Sequence, residues 1–189
     1  MSRILLDNKA TPATERSYQI PWVYDAHAYN MVNNMPERTV DITNENWKQE
    51  IGNFEEVESL YILVDLPAED YEMIGQMVNL EALYMYKAKN LEDISFLENL
   101  TKLKELMIHN SKIKDLSPIV KVRKKQEELY PTVPWCKLQL VAILKSKVSD
   151  LSVFGDKISF SEFLLYKSKV AEDDPIYQRL TASIRRYED

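Results

Sequence analysis

Apolar residues return along this chain at intervals of 23, not at the roughly 3.6 of a lone amphipathic helix. Val57, Leu60 and Ile62 recur as Leu80, Leu83 and Met85, and again as Leu103, Leu106 and Ile108. The last two positions of each triplet are separated by one residue, the period-two signature of a strand. Half a unit away, Ile51 and Phe54, Ile74 and Met77, and Leu97 and Leu100 keep the same phase. A fixed period of this length predicts stacked units, each giving one short strand and one return segment. No such unit can bury its apolar face alone, so the stack supplies the core.

Further copies follow. "SKIKDLSPI" (111–119) matches "SKVSDLSVF" (146–154), and Leu138, Val141 and Ile143 align with Leu103, Leu106 and Ile108. The offset here is 35, so roughly 13 residues are inserted between the third and fourth units, around "RKKQEELYPTVPWC". A shortened unit before the first has Val40 and Ile42 as its strand. In the return segments, Ser95 with Glu98 predicts a capping box, and Ser117 with Pro118 a cap followed by the first helical position. The helix from Ser117 is expected to be longer than the others, with Ile119, Val122 and Leu129 on one face, and to stop before Pro131. Ser161 to Val170 is expected as a short helix. Asp174 and Pro175 should start another, whose Ile176, Leu180 and Ile184 form an apolar stripe sealing the last strand.

The pattern L-x-x-L-x-L with a further apolar residue resembles the leucine-rich repeat, and most of all the repeats of bacterial internalins. "NLEDISFLENLTKLKELMIHNSKIKDLSPI" looks like that family's strand, turn and short convex helix, including its Asp-Ile-Ser and Asp-Leu-Ser steps. The resemblance covers roughly residues 40–155. It implies an α/β fold: a short right-handed leucine-rich repeat solenoid with a parallel concave sheet, short convex helices and helical terminal caps. Residues 1–39 would form an N-terminal arm or cap, 40–155 the repeats with an insertion at about 123–136, and 156–189 a helical C-terminal cap. The family's asparagine-ladder position is held here by Asp65, Ala88, Ser111 and Ser146. Alanine cannot hydrogen-bond through its side chain, and Leu91 falls one place late, so Asn90 is expected to take over in that unit.

Residues between the inward leucines alternate onto the concave face. One column contains Asp41, Tyr61, Tyr84, Met107 and Ala142; the next contains Thr43, Leu63, Tyr86, His109 and Leu144. A flanking column holds Asn44, Val64, Lys87, Asn110 and Lys145. Tyr61, Leu63, Tyr84, Tyr86, Met107, His109 and Leu144 are therefore the candidate protein-binding residues. They are aromatic and apolar side chains where core packing does not require them, and such exposed patches mark contacts. The competing reading is that the chain covers this ribbon itself, through an amino-terminal arm carrying Tyr18, Trp22 and Tyr24, or through a symmetric copy.

Composition narrows the function classes. The net charge of −6 argues against a nucleic-acid footprint. Three glycines, Gly52, Gly75 and Gly155, are too scattered for a phosphate-cradling loop. Cys136 is the only cysteine, so no intrachain disulfide can form. The apolar run before Asp7 is too short for a signal peptide, and no stretch approaches the ~18 apolar residues of a membrane span. If Met1 is the native start, these features predict a cytoplasmic protein. His27 and His109 lie far apart without matched metal ligands. Glu172, Asp173 and Asp174 lack the spacing of a calcium loop and are expected as a solvated helix start. Cys136 beside Trp135 is expected to be a buried structural cysteine. The basic run 121–125 precedes Glu127 and Glu128, so i,i+4 pairing with Arg123 and Lys124 is the simpler account.

The expectation is thus a non-catalytic module that binds a protein partner through its concave sheet, with no cofactor and no metal, and with homo-oligomer formation open. Two alternatives remain: an anionic ligand or nucleic acid on the basic insertion 121–125, or an enzyme site between a terminal segment and the concave face.

Overall fold

The computed structural model describes residues 4–5, 38–44 and 46–182. Among these, seven strands lie side by side in chain order: β1 (Ile4–Leu5), β2 (Thr39–Ile42), β3 (Ser59–Ile62), β4 (Ala82–Met85), β5 (Glu105–His109), β6 (Leu140–Leu144) and β7 (Glu162–Tyr166). Every neighbouring pair is parallel. Leu60, Leu83, Leu106, Val141 and Phe163 are in register, as are Ile62, Met85, Ile108, Ile143 and Leu165. Both rows lie in the main core, none more than 4% exposed. The helices α1 (Trp47–Ile51), α2 (Ala68–Ile74), α3 (Ser117–Leu129) and α4 (Pro175–Thr181) are interspersed with short 3-10 turns in the return segments. Their Trp47, Ile74, Leu97, Ile119, Val122 and Leu180 close the same core.

The return turns are set by an aspartate two residues before each serine. Asp93 Oδ1 accepts the Ser95 backbone N–H (2.8 Å), and its other oxygen accepts the Ser95 hydroxyl (3.0 Å). Asp115 with Ser117 and Asp150 with Ser152 repeat this arrangement. The expected serine caps are therefore corrected: neither Ser95 nor Ser117 caps by its own side chain, because both hydroxyls donate backward to the aspartate. Such side-chain mimicry of a turn explains the recurrent D-x-S step. At the ladder position Asn90 does take over, donating to the Leu66 carbonyl at 3.0 Å. The shared glycines of "IGNF" and "IGQM" serve different needs. Gly52 has φ of +71°, whereas Gly75 has an ordinary backbone but a tight setting, since a Cβ would sit 3.1 Å from the Phe96 carbonyl oxygen and its neighbours would have to shift by a few tenths of an ångström.

Residues 161–170 differ from expectation. They contain no helix; β7 pairs with β6 from Leu140↔Glu162 to Leu144↔Tyr166. Phe163 and Leu165 point into the core while Glu162, Leu164 and Tyr166 do not, which is strand alternation. The signal was present in the sequence: "KSKV" occurs at 145–148 and again at 167–170. In both copies the lysine after the strand has positive φ, +54° at Lys145 and +52° at Lys167, and Asn110 has the same conformation one unit earlier. In both copies, too, the serine hydroxyl accepts the valine N–H two residues on. After this last coil, Asp174 caps α4 by accepting from the N–H groups of Ile176 and Tyr177, as expected, and Leu180 is buried. Ile184 lies outside the described residues.

The insertion begins as α3, which ends at Leu129 as expected. Ile119 and Val122 are buried, but Leu129 is 57% exposed, contrary to its placement on the same buried face. The last turn outruns the core beneath it. What holds α3 down is Gln126, fully buried, whose amide N–H group donates to the carbonyls of Leu103 (2.7 Å) and Thr101 (3.1 Å). Its carbonyl accepts the Leu138 N–H at 2.7 Å. One side chain thus joins both ends of the insertion to the preceding unit.

Candidate functional site

The register places the predicted columns as expected. Asp41, Tyr61, Tyr84, Met107, Ala142 and Leu164 are successive partners across the sheet, as are His109, Leu144 and Tyr166. Backbone bonds extend the second column: the Leu63 N–H donates to the Ile42 carbonyl and the Tyr86 N–H to the Ile62 carbonyl, both at 2.9 Å. All seven candidate residues therefore lie on one face. Tyr61 and Tyr84 stack with ring centroids 4.9 Å apart and planes 1° from parallel. The Tyr84 hydroxyl donates to Glu105.

Their exposure is not what the sequence suggested. Tyr61, Tyr84 and Tyr86 are 4%, 2% and 4% exposed, and Met107 and Leu144 are 2% each. Leu63 and His109 are half-buried. Tyr61, Tyr84, Tyr86, Met107 and Leu144 are not part of the main core; with Ala142 they form a second apolar cluster on the opposite side of the sheet. The other described side chains packed against it are Leu63, Ala82, Leu140 and Leu164, all from the sheet itself or its immediate continuation. None of Asp41, Tyr61, Tyr84, Tyr86, Glu105 and His109 lacks an interaction.

The electrostatics of this face are mild. His109 Nδ1 lies 3.0 Å from the Tyr86 carbonyl. Burial lowers the proton affinity of its ring; the Tyr86 carbonyl opposes this, and Lys145 adds to it. On the return side, the Asp115 carboxyl is held low by the Ser117 hydroxyl and then by its N–H, and Asp150 by the Ser152 N–H and then its hydroxyl. Burial pushes Tyr71 up to about 12, so it stays a neutral phenol.

The other candidates disperse. Lys121 and Lys125 donate to the side chain and carbonyl of Glu98, and Arg123 to the Leu138 carbonyl, with Glu127 at 3.5 Å. Cys136 is half-buried rather than buried, and its neighbour Trp135 is 66% exposed. A cleft of about 470 Å³ beside α2 is lined by Glu69, Glu72, Glu92, Asp93 and Lys112 among others, and it shares no residue with the tyrosine layer. Among the described residues, no group of three His, Cys, Asp or Glu side chains is placed to hold a metal ion, and no helix is long and apolar enough to cross a membrane. The sequence reading has no counterpart to a buried pair that joins α1 to α2: Trp47 Nε1 donates to Asp70 at 3.3 Å, and Lys48 bonds the other oxygen of the same carboxylate. Only their common offset of one repeat could have brought them together.

No family model matches the chain, and no curated protein matches it. Solved structures do. An internalin (inlF) from Listeria monocytogenes superposes with a TM-score of 0.54 at 19% identity, over 77% of this chain and 38% of that one. Internalin C2 (inlC2) from the same organism matches at 19% identity with a TM-score of 0.48, over 70% of this chain and 50% of that one. The chain thus spans between a third and a half of the internalins it resembles. Its fold is an internalin-like leucine-rich repeat solenoid with an open parallel sheet.

Proposed function

We propose, with an internalin-like leucine-rich repeat fold as the premise, that this chain is a non-catalytic module that recognises a protein partner through its concave sheet. The observation that carries this reading is the second apolar cluster. A solenoid needs only one buried face per coil, and this one adds Tyr61, Tyr84, Tyr86, Met107 and Leu144 on the other. Leu63 and His109, half-buried, and Tyr166, 36% exposed, are the parts of that face within reach of a partner, and the stacked tyrosines beside them give it a rigid base. The step from fold to recognition is analogy. His109 has the character of a structural contact, tied to a backbone carbonyl and disinclined to take a proton. An anionic ligand on 121–125 is less favoured, because Glu98 and Glu127 already engage Lys121 and Arg123.

The test is retention of a protein from a lysate of the native host on the immobilised chain, followed by rebinding of the purified candidate. Leu63→Asp with His109→Asp, at the half-buried margin of the face, should weaken binding at least tenfold while leaving the thermal midpoint within a few degrees. Lys124→Glu with Lys125→Glu should bind as the parent does. The opposite pattern overturns the proposal in favour of the insertion.

A further inference from the structure

At their carboxyl ends, β4 to β7 run into turns that carry a ladder of lysines. Lys87, Lys145 and Lys167 directly follow Tyr86, Leu144 and Tyr166 of the concave face. Two residues later, Lys89, Lys112, Lys147 and Lys169 make a second row. Backbone bonds keep that row in step: the N–H groups of Lys112, Lys147 and Lys169 donate to the carbonyls of Leu91, Ile113 and Val148, each one unit earlier. These lysines are all exposed, while Ser146 and Ser168 between them are half-buried and accept N–H groups of their own turns.

The charge of this ladder is largely uncompensated. Lys89 and Lys112 pair with Asp65 and Glu92, but Lys87, Lys145, Lys147, Lys167 and Lys169 form no ion pair among the described residues. The stretches 144–149 and 166–171 hold four lysines and no acidic residue, in a chain whose net charge is −6. The field gathers on Glu92, whose carboxyl is held low by its hydrogen bond to Lys112, then by the Lys112 charge, and further by Lys147 and Lys114. Lys145 and Lys167 also stand at φ of +54° and +52°, a conformation that glycine or asparagine adopts with less strain, as Asn110 does one unit earlier. Lysine at both places keeps a cation where the backbone alone favours another residue. The ladder borders the concave face: Lys167 Nζ lies 5.3 Å from the ring centroid of Tyr166, and the Lys145 charge reaches His109.

We infer that this ladder holds an acidic segment of the protein partner, laid across the ends of β4 to β7 beside the concave face. The inference rests on the reading that this face binds a protein, and it names the chemistry of that protein. The distance from β4 to β7 is about 15 Å at the usual strand separation, the reach of about five extended residues. Carboxylates on such a segment meet ammonium groups on flexible stems, which need no fixed geometry. A phosphate backbone suits the site less well. The ladder contains no arginine fork, and the N–H groups of Lys112, Lys145, Lys147 and Lys169 that could cradle a phosphate are already bonded to carbonyls. Tyr166, the exposed ring beside the ladder, is engaged by Lys167 rather than left for a base to stack upon.

The test is fluorescence polarisation with the whole chain and a labelled peptide of eight glutamates. A Gly-Ser peptide and an oligothymidylate of the same length serve as comparisons. The glutamate peptide should bind at about 50 mM salt and weaken at least tenfold by about 300 mM, as contacts between exposed charges do. The Gly-Ser peptide should not bind. Lys145→Asn and Lys167→Asn, which suit the positive φ, combined with Lys147→Gln and Lys169→Gln, should cost at least tenfold in affinity with an unchanged circular dichroism spectrum. Replacing Lys121, Lys124, Lys125 and Lys157 by glutamine removes the same charge elsewhere and should leave binding within twofold of the parent. If the fourfold ladder variant unfolds, Lys147→Gln with Lys169→Gln alone should cost at least threefold. No binding by the parent, equal losses in the two fourfold variants, undiminished affinity in the double variant, or tighter binding of the oligothymidylate would each overturn the inference. A protein partner held equally by the parent and the ladder variant overturns it too, while the proposed function stands. Glutamate peptide bound through the ladder of a chain that retains no partner leaves the ladder as a site for acidic segments and removes only the proposal for the concave face.

Discussion

Leu83 and Tyr84 are adjacent in the chain, pair with equivalent neighbours on both sides and are almost equally shielded from water. They nevertheless belong to different layers. Leu83 meets a column of aliphatic residues, closed by the return segments of its own and adjacent units. Tyr84 meets a tyrosine, a methionine and a carboxylate, and the described side chains packed against its cluster come from the sheet or its immediate continuation. The first layer is a product of the repeat; the second is an addition to it. What the pair teaches is that alternation decides which side of a sheet a residue occupies and not how deeply it is buried there.

That comparison can be broken at three strengths. Leu83→Ala removes side-chain volume from a site with no exposure and should cost about 3 kcal/mol, read as a fall in the urea midpoint at unchanged slope. A loss under ~1 kcal/mol would mean that the main core is not the principal source of stability. Tyr84→Phe keeps the ring and deletes the bond to Glu105, a partner that still touches solvent. It should cost about 1 kcal/mol. A loss equal to that of Leu83→Ala would erase the distinction between the two layers. The smallest effect is a pH dependence at His109. Its folded-state proton affinity is lowered, chiefly by burial, so the unfolded chain takes up the proton first as the solution is acidified. The stability contributed by the neutral ring is complete above the ordinary histidine value of about 6.5 and is lost as pH falls through the lower folded value. The stability difference between the parent and His109→Gln should therefore shrink from pH 7.5 to pH 5.5. A difference that grows on acidification would show the ring charged in the fold.

Much of the architecture was legible because it is periodic. Leu60, Leu83 and Leu106 announced their strands, and the register then put every concave candidate in the expected column. What the sequence concealed is aperiodic. Phe163 to Tyr166 is a short apolar run that suits a helix as well as a strand, and only the second "KSKV" separates the two. Gln126 looks like one more polar residue on a charged helix; its buried role depends on carbonyls at Thr101 and Leu103, a whole unit away. The tyrosines were assigned to the right face but the wrong depth, since the spacing within the repeats encodes the side a residue takes and not its exposure.

Between β5 and β6 the chain wanders through α3 and a Pro134–Cys136 turn, yet Glu105 still meets Leu140 and Leu106 still meets Val141, as though nothing had intervened. The sheet counts strands, whereas the outer wall tolerates almost any detour whose ends are stitched together, here by Gln126. Growth at that wall can therefore alter the silhouette of the molecule, including a bare Trp135 at its tip, without displacing one side chain of the inner ribbon.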